Sequence, residues 1–264
     1  MKLGFIGCGN MASAMLRGIL AQNHVDKSDI IISEISQTAL DKVQSQMQVT
    51  GTTDNKEVAR KADIIILSVK PQYYEEVLKD IKDELKDDQI IVTIAPGKTL
   101  EWVETRIGKP SKIIRTMPNT PALVLEGMTG VCSNERITKE ELVQVCDLLK
   151  CFGRVELIPE NLMDVVTAVS GSSPAYVFMF IEAMADAAVA DGMPRAQAYQ
   201  FAAQAVMGSA RMVLETGMHP GELKDMVCSP GGTTIEAVRV LEKEGMRSAV
   251  IEAMKSCVEK SRGL

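Results

Sequence analysis

The sequence predicts an α/β fold: a doubly wound parallel sheet over residues 1–160, then an all-α domain over residues 161–264. Three observations predict it. Short apolar runs without polar alternation recur through the first half, the pattern of strands buried on both faces. Helical stretches separate these runs, and that alternation winds helices over both faces of a parallel sheet. Beyond Pro159 the strand signals cease, and long helices rich in small apolar residues take over.

Lys2–Ile6 is the first strand. Gly7-Cys8-Gly9-Asn10-Met11-Ala12 follows at once, a G-x-G-x-x-G/A pattern opening a helix expected over residues 11–22. Gly7 permits the tight turn, Gly9 lets a pyrophosphate approach the backbone, and Ala12 lets helix and strand pack closely. The helix N-terminus adds free N–H groups and a positive dipole end. These six residues predict a dinucleotide site. A second strand, Ile30–Ser33, ends at Glu34, where a residue reading the adenosine ribose belongs. A carboxylate there suits the free hydroxyls of NADH, yet Ser33, Ser36 and Lys56 are placed to cradle the 2′-phosphate of NADPH, so both cofactors stay open.

A polar helix is expected over residues 38–46, a short strand at Val49–Thr52, and a helix with Asp54 as N-cap. Ile64–Val69 is a strand stopped by Lys70-Pro71, because Pro71 cannot continue a central ladder. A helix over Tyr73–Leu85 leads to a strand at Ile90–Ile94, ended by Pro96-Gly97. Ligands gather at strand carboxyl ends in such sheets, which singles out Lys70-Pro71 and Ala95-Pro96-Gly97 as cofactor contacts. Ordinary turn chemistry is the plain alternative for both. Lys112–Arg115 is a strand leading into residues 116–121, where Pro118 and Pro121 bracket Asn119-Thr120. That bracket presents two polar side chains rigidly, to a nicotinamide or a substrate, or it is merely a stiff connection. Gly130–Ser133 reads as an edge strand. Thr138-Lys139-Glu140-Glu141 is a capping box for a helix to Phe152, which Gly153 stops, and Arg154–Leu157 closes the sheet.

In the second half Leu162–Val169 is helical, and Ser170-Gly171-Ser172-Ser173-Pro174 interrupts or bends it. Ala175–Ala190 is apolar nearly all round and must be buried, in a core or between subunits. Pro194 opens a further apolar helix to about Glu215. Helices this apolar, with no sheet to cover, imply a dimer with interleaved helices. Cys228-Ser229-Pro230-Gly231-Gly232-Thr233-Thr234 then precedes a helix to Glu244. It repeats the logic of the first loop: free N–H groups suited to an anion, here a carboxylate, with hydroxyls from Ser229, Thr233 and Thr234. A simple Thr N-cap is the alternative.

A net charge of −6 argues against nucleic acid as a partner. No apolar run approaches the ~20 residues of a membrane span, and the chain opens on a strand, not a signal-peptide pattern. The six cysteines lack metal-ligand spacing, so no metal site is expected and the thiols read as reduced and cytoplasmic. The only histidines, His24 and His219, sit in predicted loops, and no lysine occurs from Cys151 to Leu223. Hydride transfer to a ketone needs a positioned proton donor. A protonated imine is already electrophilic, and a light hydroxyl contact suffices for it.

The chain resembles the pyrroline-5-carboxylate reductase family along its whole length. The resemblance is most specific from Leu223-Lys224-Asp225 through Ser229–Ile235 to Leu241-Glu242. Lys70-Pro71, Met117–Pro121 and Ser170–Tyr176 match as well. It implies reduction of a cyclic imine to L-proline by NADPH or NADH, the last step of proline biosynthesis. It also implies an N-terminal Rossmann domain and a helical domain that interlocks into a homodimer, often assembled to a decamer, with the Ser229–Thr234 loop meeting the partner's cofactor. By resemblance, cofactor contacts fall on Gly7–Ala12, Asn55 (ribose), Lys70 and Ala95–Gly97. Substrate contacts fall on Ser229, Gly232, Thr233 and Thr234, with Glu160 as a further candidate, and Thr234 matches the hydrogen-bond partner of the imine nitrogen. Two residues depart from the family pattern: Glu34, where a small polar residue is usual, and Met226, where some members have asparagine.

Two rivals compete with this expectation. A β-hydroxyacid dehydrogenase-like oxidoreductase shares the two-domain layout but uses a lysine on the first long helix of its second domain, which is missing here. A non-catalytic dinucleotide-binding protein has no use for the polar Ser229–Thr234 loop.

Overall fold

A computed structural model describes residues 1–263. The chain forms two compact units. The first comprises residues 1–172 together with the end of the last helix from Cys257 on, and the second comprises Ser173–Ser256.

The first unit is built on one eight-stranded sheet. Its strands are β1 (Leu3–Ile6), β2 (Ile30–Ser33), β3 (Thr50–Thr52), β4 (Ile64–Leu67), β5 (Ile90–Thr93), β6 (Lys112–Met117), β7 (Gly127–Ser133) and β8 (Gly153–Leu157). They lie in the order β3-β2-β1-β4-β5-β6-β7-β8, and the first six are mutually parallel. Alternate residues of each apolar strand feed opposite layers. Leu3, Phe5, Ile30, Ile32, Ile64, Ile66, Ile90 and Val92 pack under α1 (Asn10–Ala21), α2 (Gln37–Met47) and α6 (Lys139–Lys150). Ile6, Ile31, Ile65, Leu67 and Ile91 pack under α3 (Asn55–Lys61), α4 (Tyr74–Ile81) and α5 (Leu100–Ile107). Two covered faces are the reason these strands show no polar alternation.

Three expectations need correction here. β7 is not an edge strand: it pairs antiparallel with β6 and parallel with β8, which is the edge. The connection from Met117 to Gly127 is shorter than the dozen or more residues a parallel crossover needs, so the chain turns back. α5 was not foreseen, although Thr99 caps it by accepting from Trp102 N at 3.0 Å and Gly108 ends it at φ +78°. The third concerns membrane character: the stretch after Glu160 bends at Ser172, within the segment expected to interrupt or bend it, but stays helical on both sides. A short α7 (Met163–Val166) runs into a π-turn at Thr167–Gly171 and on into α8 (Ser173–Ala190). Because that turn stays helical, the run Glu160–Ala190 is long and apolar enough to cross a membrane by length and composition, contrary to the sequence expectation.

The capping box forms in full: Glu141 N donates to Thr138 Oγ1 and Thr138 N donates to Glu141 Oε2. Two side-chain bonds hold the returning end of α12 (Met246–Arg262) in the first unit. Cys257 Sγ lies 3.3 Å from Ser172 Oγ, and Ser261 Oγ donates to Asp164 Oδ1 at 2.7 Å.

The second unit contains α8, α9 (Arg195–Thr216), α10 (Pro220–Val227), α11 (Thr233–Lys243) and most of α12. Only Ala185 of α8 is buried, while Phe178 is 63% and Met179 68% exposed. Phe201, Met207 and Leu214 of α9 are exposed as well. An apolar cleft of about 490 Å³ lies among Val238, Leu241, Met246, Val250 and Ile251.

Gly153 pairs with Gly127 at the start of the β7–β8 register. Its backbone is at φ +153°, and a Cβ built there lies 2.0 Å from Gly127 O. Overpacking against backbone that cannot yield adds to conformational strain. Gly153→Ala is therefore expected to destabilise the first unit by about 3 kcal/mol or more, read as a lower midpoint in urea unfolding; an unchanged midpoint refutes the close approach.

Candidate active site

β1 lies between β2 and β4, so successive connections leave it in opposite directions and a crevice opens beyond the strand carboxyl ends. Gly7 turns the chain there at φ +89°, with Val69 and Ser68 packed against the space a Cβ would fill. Ser68 Oγ donates to Gly7 O at 2.7 Å and ties β4 to the turn. Gly9 is exposed and has open space around its Cβ position. It is also the N-cap of α1 and offers no side-chain cap, so the first-turn N–H groups, with Asn10 exposed and Met11 half-exposed, are left for an outside acceptor. Ala12 is fully buried against the sheet. An open cradle beneath an uncapped helix N-terminus fits the pyrophosphate of a dinucleotide.

Cys8 is committed differently. Its N–H donates to Glu34 Oε2 at 3.0 Å, and burial, reinforced by the Glu34 charge, pushes the thiol up to about 12. Glu34 follows β2, and its other oxygen accepts from Ser36 N at 3.3 Å. Asn55, at the start of α3, accepts from Ser33 Oγ at 2.7 Å and so lies at the same end of β2.

The β4 and β5 ends are locked together by a residue sequence reasoning missed. Tyr74 is fully buried, donates to Leu67 O at 2.5 Å, and accepts from Thr93 Oγ1 at 3.1 Å and Ile94 N at 3.3 Å. Burial pushes its phenol up to about 12 despite those bonds. The available signal was a tyrosine in the first turn of the helix after Lys70-Pro71. Lys70 is exposed beside this lock, and Pro71 begins a single 3₁₀ turn. Ala95 is buried, and Gly97 turns the β5 loop at φ +72°.

A second lock holds the far side of that loop. Arg115, 2% exposed, donates from Nη1 to Glu160 Oε1 at 3.0 Å, and the same oxygen accepts from Leu100 N at 2.7 Å. Asp164 lies 4.0 Å from Nη2, while the Arg115 Nε has no partner. The Glu160 carboxylate thus anchors the start of α5. Asn119 is engaged on both sides of its amide: Met128 N donates to Oδ1 at 2.8 Å, and Nδ2 donates to Ser170 O at 3.1 Å.

In the second unit Ser229, Gly232, Thr233 and Thr234 form one tight turn. Gly232 N donates to Ser229 O at 3.0 Å, and a Cβ on Gly232 would lie 2.4 Å from Ser229 Oγ. Gly232, not a threonine, is the N-cap of α11 and supplies no side-chain cap, which leaves this helix N-terminus open too. His219 instead caps α10, its Nδ1 accepting from Gly221 N at 3.0 Å. Among the described residues no group of His, Cys, Asp and Glu is arranged for a metal ion.

A family model described as pyrroline-5-carboxylate reductase dimerisation matches residues 160–264. Another, described as "NADP oxidoreductase coenzyme F420-dependent", matches residues 2–97. The chain is 56% identical to the pyrroline-5-carboxylate reductase of Escherichia coli, over 100% of its own length and 98% of the relative's. It belongs to the pyrroline-5-carboxylate reductase family. The reductase of Methanosarcina acetivorans is 41% identical over 100% of this chain and 97% of that one. The crystal structure of Plasmodium falciparum pyrroline carboxylate reductase with NADP bound superposes with a TM-score of 0.92 at 35% identity, covering 100% of this chain and 97% of that one. The family's Rossmann and helical parts are thus both present.

The Tyr74 lock has a pH signature. Its phenol titrates higher when folded than the unfolded value of about 10, so its stabilisation is complete below pH 10 and is lost as pH rises through about 12. Tyr74→Phe is expected to cost about 1–3 kcal/mol near neutral pH, with the gap to wild type narrowing from pH 10 to 12 in chemical unfolding. A gap that does not change across that window removes the buried phenol from the lock.

Proposed function

We propose that this chain reduces 1-pyrroline-5-carboxylate to L-proline with NADPH or NADH, the last step of proline biosynthesis. The observation that carries the reading is the full-length match to family members, joined to two uncapped helix N-termini in one chain. A reduced nicotinamide, when bound, supplies the hydride that adds to the imine carbon. The chain's own residues bind and orient. Gly7–Ala12 and the start of α1 hold the pyrophosphate, while Glu34 and Asn55 border the adenosine ribose. Lys70, Pro71 and Ala95–Gly97 line the nicotinamide side, where Asn119 acts through the loop it holds. Glu160 is already held by Arg115 and Leu100 N, so its part is to position that turn. The α11 N-terminus, with Ser229, Gly232 and Thr233, takes the substrate carboxylate. Thr234 is the hydrogen-bond partner of the imine nitrogen.

The working form is a homodimer, in which the exposed apolar faces of α8 and α9 and the Glu160–Ala190 run are covered by the partner's helices and not by a membrane. Burial of side chains such as Phe178, Met179 and Phe201 contributes about 1.5–3 kcal/mol each. Functionally the chain divides into a dinucleotide-binding part, 1–160, and a dimerisation and substrate part, 161–264, and it works in the cytoplasm, with dimers assembling further to a decamer.

Mixing protein, reduced cofactor and 1-pyrroline-5-carboxylate should give rapid loss of nicotinamide absorbance. Loss only with a keto acid, or none at all, would overturn the reading. Thr234→Ala should lower kcat about 10- to 1000-fold with the fold intact by circular dichroism; an unchanged kcat takes Thr234 out of the mechanism. Gly9→Trp has room to fold yet fills the phosphate cradle. Mixed with Thr234→Ala, it should recover activity once subunits exchange, because one hybrid site carries neither lesion. No recovery from verified heterodimers would place the site within one chain.

A further inference from the structure

The geometry points to Glu34 as the residue that makes this chain select NADH over NADPH. This rests on the dinucleotide reading above. Glu34 does not extend into solvent: one carboxylate oxygen accepts from Cys8 N at 3.0 Å and the other from Ser36 N at 3.3 Å. The charge is thereby fixed between the glycine loop and the start of α2, at the carboxyl end of β2, where the ribose 2′ position lies in this fold. Asn55 shares that end, and with its Oδ1 occupied by Ser33 it has its amide N–H groups to offer. An acceptor and a donor at the same strand end match a free 2′,3′-diol.

A 2′-phosphate would need cations here, and the cations of α3 already pair with carboxylates. Ser33 Oγ donates to Asn55, while Ser36 Oγ accepts from Ala39 N at 3.4 Å as the cap of α2 and keeps only an uncharged O–H to donate. Lys56 pairs with Asp80 at 3.5 Å, and Arg60 pairs with Asp54 at 3.2 Å and Glu84 at 3.4 Å. A phosphate would meet a fixed carboxylate without a compensating positive charge, and removing that like-charge contact is the effect to measure.

Calorimetric titration of the full-length protein with NADH and with NADPH tests this, alongside Glu34→Ser and Glu34→Gln. Gln keeps an acceptor for Cys8 N and removes only the charge, so it decides the matter even where Ser fails to fold. Wild type should bind NADH at least about tenfold more tightly than NADPH, the scale of one like-charge contact at a few ångströms. Both variants should shrink that ratio toward one or reverse it. Equal or tighter NADPH binding by wild type, or a ratio unchanged in the variants, overturns the assignment while leaving the reductase reading standing. Failure of both dinucleotides to bind overturns the dinucleotide reading itself, and the assignment with it.

Discussion

Everything in the first unit depends on β1 being paired on both sides by parallel strands. Sharing its edges with β2 and β4 obliges the chain to leave the sheet on one face after β1 and on the other later, so no helix covers the space beyond Ile6. The uncapped start of α1 faces outward for that reason. The locks around it serve the same opening: Ser68 on the glycine turn, Tyr74 across β4 and β5, and Arg115 with Glu160 behind the β5 loop. Each satisfies buried backbone or charge that the opening would otherwise leave without partners.

Much of this was legible from residue order. Apolar strands, glycine loop and alternation were read from patterns that local physics writes strongly. The start of α1 and the cap at Thr138 fell within a residue of expectation because a glycine turn and a capping box have one backbone solution. What escaped notice was non-local. Tyr74 looks like any amphipathic helix residue until the fold brings Leu67, Thr93 and Ile94 around its hydroxyl. Asn119 was legible as a rigidly held polar residue, but not that its amide would turn inward to Ser170 and Met128. α10 and α12 are further helices of the second unit that the sequence expectation does not include.

The two helix N-termini at Gly9 and Gly232 share one design with different neighbours. Both replace a capping side chain with hydrogen, leaving N–H groups open to an anion. Behind Gly9 the space stays clear, whereas Gly232 is pressed against Ser229, which sets the hydroxyl-bearing turn tightly on the helix. The two N-termini thus differ in roominess, open at Gly9 and tight at Gly232.

The chain leaves the first unit at Ser172 and re-enters it at Cys257, with the two side chains 3.3 Å apart. The helical unit is therefore an insertion with adjoining ends, not a tail. Adjoining ends of this kind are where insertion of a segment is tolerated, because the strand pairings and both sheet layers do not depend on what lies between the two points. The sheet and the helical unit are thus joined only at one place, so a change within the helices need not disturb the strand order that makes the crevice.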